Sequence, residues 1–150
     1  MSSWAEIAND APDFARRLRA VFDAGTNKTI ATIRADGSPR ISGTELVVDN
    51  QRVLLGAMPG SRKLADLQRD PRIALHSPTL EPPPDPRQWP GDGKLSGIAV
   101  PVPPPDGMPD GSYFELDITE AVLTTIAPSG EELRIESWHP GRGYEERFRT

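Results

Sequence analysis

Eleven of the chain's 17 prolines lie between Pro78 and Pro109, including the triplets Pro82-Pro83-Pro84 and Pro103-Pro104-Pro105. Proline inside a helix removes a hydrogen bond and clashes with the preceding turn. No packed helix can cross this stretch, and most of it must run extended or as polyproline. One segment within it escapes. Lys94-Leu95-Ser96-Gly97-Ile98-Ala99-Val100 reads as a strand, with Gly97 marking a bulge or a close approach of another backbone. Packed helices are therefore confined to the chain outside residues 78–109.

The segments before this stretch read strand, turn, strand, turn, strand, helix, strand. Thr29 to Arg34 is the first strand, and Asp36-Gly37 the tight turn after it. Arg40 to Val48 reads as one second strand, Asp49-Asn50-Gln51 as a turn, and Arg52 to Met58 as the third strand. Pro59-Gly60 breaks that strand, and Ser61 is placed to cap a helix running to about Asp70. Asp70-Pro71 ends the helix, because a residue before proline is pushed out of helical geometry. Ile73 to His76 is the fourth strand. Upstream, Asp10 to Ala24 is expected as a helix capped by Asp10, with Pro12 in its first turn and Gly25 past its end. Phe14, Leu18, Val21 and Phe22 form its apolar stripe, while Arg16, Arg17 and Arg19 face elsewhere. This helix lids the barrel, and Trp4 is expected to pack on that lid.

Tyr113 to Ala127 alternates, with Phe114, Leu116 and Ile118 on one side and a break near Glu120. After the turn Pro128-Ser129-Gly130, Leu133 and Ile135 alternate with Arg134 and Glu136 up to Trp138. These two long strands are expected to close a barrel, with their carboxylates on a solvated outer face.

Chemistry points to Gly60-Ser61-Arg62-Lys63. A helix start has unpaired N–H groups and a partial positive charge. Ser61 adds a hydroxyl, and Arg62 and Lys63 add two cations to a position where cations are unfavourable unless something anionic offsets them. The combination suits a phosphate dianion, although a surface helix with a chance cationic first turn would read the same way. No carboxylate pair is spaced for acid–base work, and there is no nucleophile elbow or glycine-rich dinucleotide loop.

Gly60-Ser61-Arg62-Lys63, Leu67 and Asp70-Pro71-Arg72-Ile73-Ala74-Leu75 closely resemble the pyridoxamine 5′-phosphate oxidase-like family. Trp138-His139-Pro140-Gly141 with Arg147-Phe148 is similar to that family's Trp-x-Gly-Gly and Arg-Phe element, offset by about one residue. The resemblance spans most of residues 28–148. It implies an α+β fold, a six-stranded split β-barrel with flanking helices, and a site for FMN or the deazaflavin coenzyme F-420. It implies that Ser61, Arg62 and Lys63 hold the cofactor phosphate and that Trp138 and Arg147 reach the flavin, often from the partner subunit of a homodimer. Backbone at Gly56, Ala57 and Met58 would lie along the ring, and Ser42 and Thr44 would hydrogen-bond the ring or ribityl chain. The cofactor then carries the redox chemistry, passing hydride or electrons to or from a small molecule. The alternative on the same fold is a non-catalytic carrier of flavin, haem or another tetrapyrrole.

There are departures from the oxidase. Its second strand carries a Lys for which Arg40 to Leu46 has no equivalent, and its Arg-Leu-Ala-Pro segment after Arg-Phe has no counterpart before Thr150. Pyridoxamine phosphate is therefore not expected as substrate.

Other features set bounds. At 150 residues the chain reads as one domain, divided into an N-terminal helix (1–27), barrel strands with the phosphate-site helix (28–77), proline-rich loops around one strand (78–111), and C-terminal strands with a tail (112–150). A net charge of −5 without a basic tract argues against nucleic-acid binding. There is no cysteine, which excludes disulfides and thiol catalysis, and His76 and His139 have no zinc spacing. Residues 1–11 lack the pattern of a signal peptide, and no stretch is long enough to span a membrane, so a cytoplasmic location is expected. His76 reads either as an ordinary strand residue or as a contact to cofactor or substrate. A homodimer is expected from the cluster Trp138, Arg142, Tyr144 and Arg147, because Trp138 would be left largely wet in a monomer.

Overall fold

The computed structural model describes all 150 residues. Three helices flank one antiparallel sheet: α1 (Trp4–Asp10), α2 (Pro12–Phe22) and α3 (Arg62–Arg69). The strands are β1 (Lys28–Ile33), β2 (Pro39–Thr44), β3 (Leu46–Val48), β4 (Val53–Ala57), β5 (Arg72–His76), β6 (Asp92–Val102), β7 (Ser112–Ile126), β8 (Leu133–His139) and β9 (Gly143–Arg149). No helix is long and apolar enough to cross a membrane.

The sheet runs β2-β1-β5-β6-β7-β4-β3, with β8 and β9 added beyond the outer half of β7. Its two edges, β2 and β3, are consecutive in sequence and separated only by Glu45. The sheet must therefore curl until its edges meet at that residue. Counting β2 and β3 as one bent strand, the barrel has the six strands expected. Two details differ. The segment Arg40 to Val48 breaks at Glu45, pairing first with β1 and then with β4. Closure is made by this bend and not by β7 and β8, since β8 leaves the barrel to form a hairpin with β9. That last strand was not expected, because its burial pattern is exposed almost throughout and carries no alternation.

The Gly97 bulge is present. Pairing between β6 and β7 shifts register between Ser96 and Gly97. A Cβ on Gly97 would sit 2.0 Å from the Asp117 carbonyl oxygen, so only glycine fits.

The core is a single cluster of 24 buried residues. Phe14, Leu18, Val21 and Phe22 on α2 are all buried, as their spacing requires. Trp4 is buried too, but on its own helix. The helix expected from Asp10 to Ala24 is α2, which runs only from Pro12 to Phe22, and a separate helix, α1, precedes it and ends at Asp10. Asp10 caps neither of them. Its carboxylate instead accepts from Trp138 Nε1 at 3.0 Å, and Trp138 is only 1% exposed within the single chain. The premise that Trp138 would be wet in a monomer does not hold, because α1 and α2 cover the hairpin that bears it.

The expected outer-face carboxylates also divide. On β8, Glu136 and Trp138 are the buried residues, while Leu133 and Ile135 are only partly covered. Glu136 is held by Arg17 Nη1 and Nη2 at 2.7 and 2.5 Å and by the Tyr144 hydroxyl at 2.6 Å. Burial pushes its carboxyl up, but the Arg17 and Tyr144 hydrogen bonds outweigh this and hold it below the ordinary range. Burial first, and then the hydrogen bond to Glu136, push the Tyr144 phenol up to about 12.

Candidate cofactor site

Strand β4 ends at Ala57, and Met58-Pro59-Gly60 turns the chain directly into α3. Ser61 is extended, and its Oγ accepts from Leu64 N at 3.1 Å, the capping bond expected of it. The amides at Arg62 and Lys63 are among those a helix leaves without internal acceptors. Helix α3 is fixed from its buried side by Asp66. This carboxylate accepts from Thr32 Oγ1 at 2.7 Å, Arg40 Nε at 2.7 Å and Arg69 at 2.9 Å. The Arg40 bond foremost, with Thr32 and Arg69, holds the Asp66 carboxyl well below the usual range in spite of burial. Arg40, the one cation of β2, is thus committed to the helix.

A cavity of about 520 Å³ opens beside this junction. Its floor is β4 from Leu54 to Ala57, continuing to Met58, and one wall is the barrel bend from Gly43 to Val47. The opposite wall is the loop from Pro105 to Gly111 together with Tyr113. Gly56 has to be small here, because an added Cβ would lie 3.0 Å from the Tyr113 ring. Lys63 projects into the cavity. Its Nζ lies 3.4 Å from Thr44 Oγ1, and it has no carboxylate partner. Burial lowers its pKa. A half-buried ammonium with one weak hydrogen bond is poised for an anion.

Of the ten residues expected at the cofactor, Thr44, Gly56, Ala57, Met58 and Lys63 line one cavity. Ser61 and Arg62 do not line it: Ser61 is the helix cap, and Arg62 is exposed without a side-chain partner. Ser42 is on β2 but does not line the cavity, whereas its neighbours Gly43 and Thr44 do. Trp138 and Arg147 are elsewhere. Trp138 is packed under α1, and Arg147 borders a second, polar hollow of about 600 Å³ with Lys94, Glu120 and His139. His76 lies outside this cavity, its Nδ1 2.6 Å from the Ser77 carbonyl. One of the two proline loops, 103–111, forms part of the cavity mouth.

Sequence reasoning missed Tyr113 and the three carboxylates that line the cavity, Glu45, Asp106 and Asp110. The only signal for the latter two was a pair of Asp-Gly turns beside the prolines.

Fold and cavity together define a split-barrel protein with a cofactor-sized site at the start of α3. The family model for pyridoxamine 5′-phosphate oxidase matches residues 14–96, and the chain belongs to that oxidase-like family. Among solved structures, PhzG from Burkholderia lata, in complex with tetrahydrophenazine-1-carboxylic acid, superposes with a TM-score of 0.68 at 13% identity, over 97% of this chain and 94% of that one. A pyridoxamine 5′-phosphate oxidase-related, FMN-binding protein from Nostoc punctiforme gives 0.64 at 11% identity, covering 97% and 99%. A heme binding protein from Mycobacterium smegmatis gives 0.52 at 13% identity, covering 100% and 89%. At these identities the likeness is one of fold. A search of curated proteins found no match.

Proposed function

We propose that this chain is an oxidoreductase that binds FMN or the deazaflavin coenzyme F-420 in the cavity at the start of α3. The observation that carries the reading is Lys63, a half-buried cation without a carboxylate partner, aimed into a cavity of cofactor size. Lys63, with the free amides of the first turn of α3, would hold the phosphate, and Arg62 would add charge from outside. The Gly56 and Ala57 backbone would lie along the ring, and Thr44 would meet its polar edge or the ribityl chain. Once bound, the cofactor supplies hydride or electron transfer to or from a small molecule. The chain's own residues bind, orient and exclude water.

The carrier reading, in which the fold holds haem or another tetrapyrrole, is less well supported. Both histidines lie outside the cavity, so neither is available there as a haem ligand. A homodimer is part of the same proposal. The outward face of β2 is bare, with Ile41 at 76% exposure, and Met58 at the cavity mouth is 77% exposed. Pairing across this face would cover both.

Titration of the purified protein with FMN and with F-420, followed by absorbance and fluorescence, tests the reading. Lys63→Ala is expected to weaken binding by about 1.5–3 kcal/mol, the worth of a charged hydrogen bond, and Arg62→Ala by less. Unchanged affinity in Lys63→Ala would remove the cofactor from this cavity. A monomer mass by light scattering at micromolar protein would remove the dimer.

A further inference from the structure

Lys63 owes its freedom to a residue outside the cavity. Asp66 stands three positions after it on α3, a spacing at which a carboxylate and an ammonium on one helix are neighbours and ordinarily attract. They do not pair here. Both Asp66 oxygens are engaged elsewhere. Oδ2 accepts from Thr32 Oγ1 and Arg40 Nε, each at 2.7 Å, and Oδ1 accepts from Arg69 Nη2 at 2.9 Å. Lys63 is left with Thr44 Oγ1 at 3.4 Å.

The same bonds set where Lys63 stands. Helix α3 meets β2 at two points, Asp66 on Arg40 and Lys63 on Thr44. Arg40 and Thr44 share the inward side of that strand, away from exposed Ile41, because alternate residues of a strand share a face. The first contact is ionic, short and buried, and the second is long and weak. Arg69 adds a tie to β1, its Nη2 donating also to the Ile33 carbonyl at 2.6 Å. A helix of 8 residues does not hold itself in place. Its seat on the barrel is set by these ties and by the buried Leu64 and Leu67. All of them lie within one chain and on the inward side of β2, so pairing of two chains across the outward side leaves them as they are.

We propose that Asp66 is the positioning residue of the phosphate site: it seats the first turn of α3 against β1 and β2 so that Lys63 and the free amides converge on the cofactor phosphate, and its bonds to Arg40, Thr32 and Arg69 leave Lys63 unpaired for that phosphate. This rests on the cofactor reading above. Asp66 itself touches no ligand and acts through Lys63. A role as a mere nearby charge has the opposite sign. A carboxylate one turn from the site repels a phosphate, so removing its charge alone would tighten binding. Loss of position loosens it, because a ligand group must be held to within a fraction of an ångström by the residues behind it.

Two ligand pairs test this on the full chain: FMN against riboflavin, which differ only in the phosphate, and F-420 against its phosphate-free deazariboflavin. The readout is the ratio of dissociation constants within a pair. In wild type the phosphate form should bind about tenfold tighter or more, the worth of one charged hydrogen bond. Asp66→Asn keeps the side chain's shape and removes its charge, and it should lower that ratio by about fivefold or more while the phosphate-free affinity holds. Thr32→Val removes one tie and no charge, and it should lower the ratio by a smaller factor. Melting curves establish that each variant is folded at the titration temperature; should Asp66→Asn not fold, Thr32→Val decides, and an unchanged ratio there overturns the proposal. If wild type shows no preference for the phosphate form in either pair, the cofactor reading falls and the proposal with it. If wild type shows the preference and Asp66→Asn keeps or raises it, the proposal is overturned while the cofactor reading stands. An equal loss of affinity for both members of a pair, leaving the ratio intact, overturns it in the same way.

Discussion

Replacing Asp66 by alanine is the sharpest probe of what holds α3 in place. Asp66 is 2% exposed and accepts three hydrogen bonds, from β1, from β2 and from its own helix. Its loss leaves the Thr32 hydroxyl, 1% exposed, and the Arg40 guanidinium without their acceptor in the interior. Removing one partner of a buried ion pair costs about 3–5 kcal/mol, because the remaining charge stays desolvated. For a chain of this length that corresponds to a fall in Tm of roughly 6–20 °C. Thr32→Val should cost only about 1 kcal/mol, since Arg40 and Arg69 still satisfy the carboxylate. Urea denaturation with an unchanged slope would report these values directly. Acid dependence gives a second reading. The Asp66 carboxyl is depressed in the folded state, so its stabilisation is complete above its unfolded value of about 3.9 and is lost as pH falls below that. Wild type should thus lose stability below about pH 4 more steeply than Asp66→Asn, while the other acids cancel in the comparison. A cost below about 1 kcal/mol for Asp66→Ala, or parallel acid curves for wild type and Asp66→Asn, would refute the clamp.

Three further outcomes follow from the same structure. Gly97→Ala should destabilise by about 3 kcal/mol or more in thermal denaturation, since its methyl collides with the Asp117 carbonyl and a strand must move. Tyr144→Phe should cost about 1 kcal/mol by removing one hydrogen bond from the buried Glu136, and it should leave FMN titrations unchanged because the pair lies away from the cavity. Pyridoxamine phosphate should show no turnover with FMN supplied. Steady peroxide release with that substrate would contradict the argument from the missing Lys on β2.

The turns, caps and breaks were legible in the residues themselves. Ser61 caps α3, Asp70-Pro71 ends it, and Gly97 marks the bulge, because each acts on backbone within a few positions of itself. The apolar stripe of α2 and the alternation of β7 were equally local, and they located the core correctly. The start of α3 was legible for the same reason, and the structure sets its Lys63 in the lining of a cavity. What the tertiary structure decided depends on segments distant in the chain. The bend at Glu45 exists because the two sheet edges must meet, and no residue there announces it. Glu136 and Trp138 are buried because α1 and α2 lie over β8, supplying Arg17 and Asp10 from more than a hundred residues away. The cavity exists because the loop between β6 and β7 lies against β4, so that Asp106 and Asp110 line the same hollow as Lys63. A pattern along the chain fixes which residues share a face, but what covers that face is set by long-range packing.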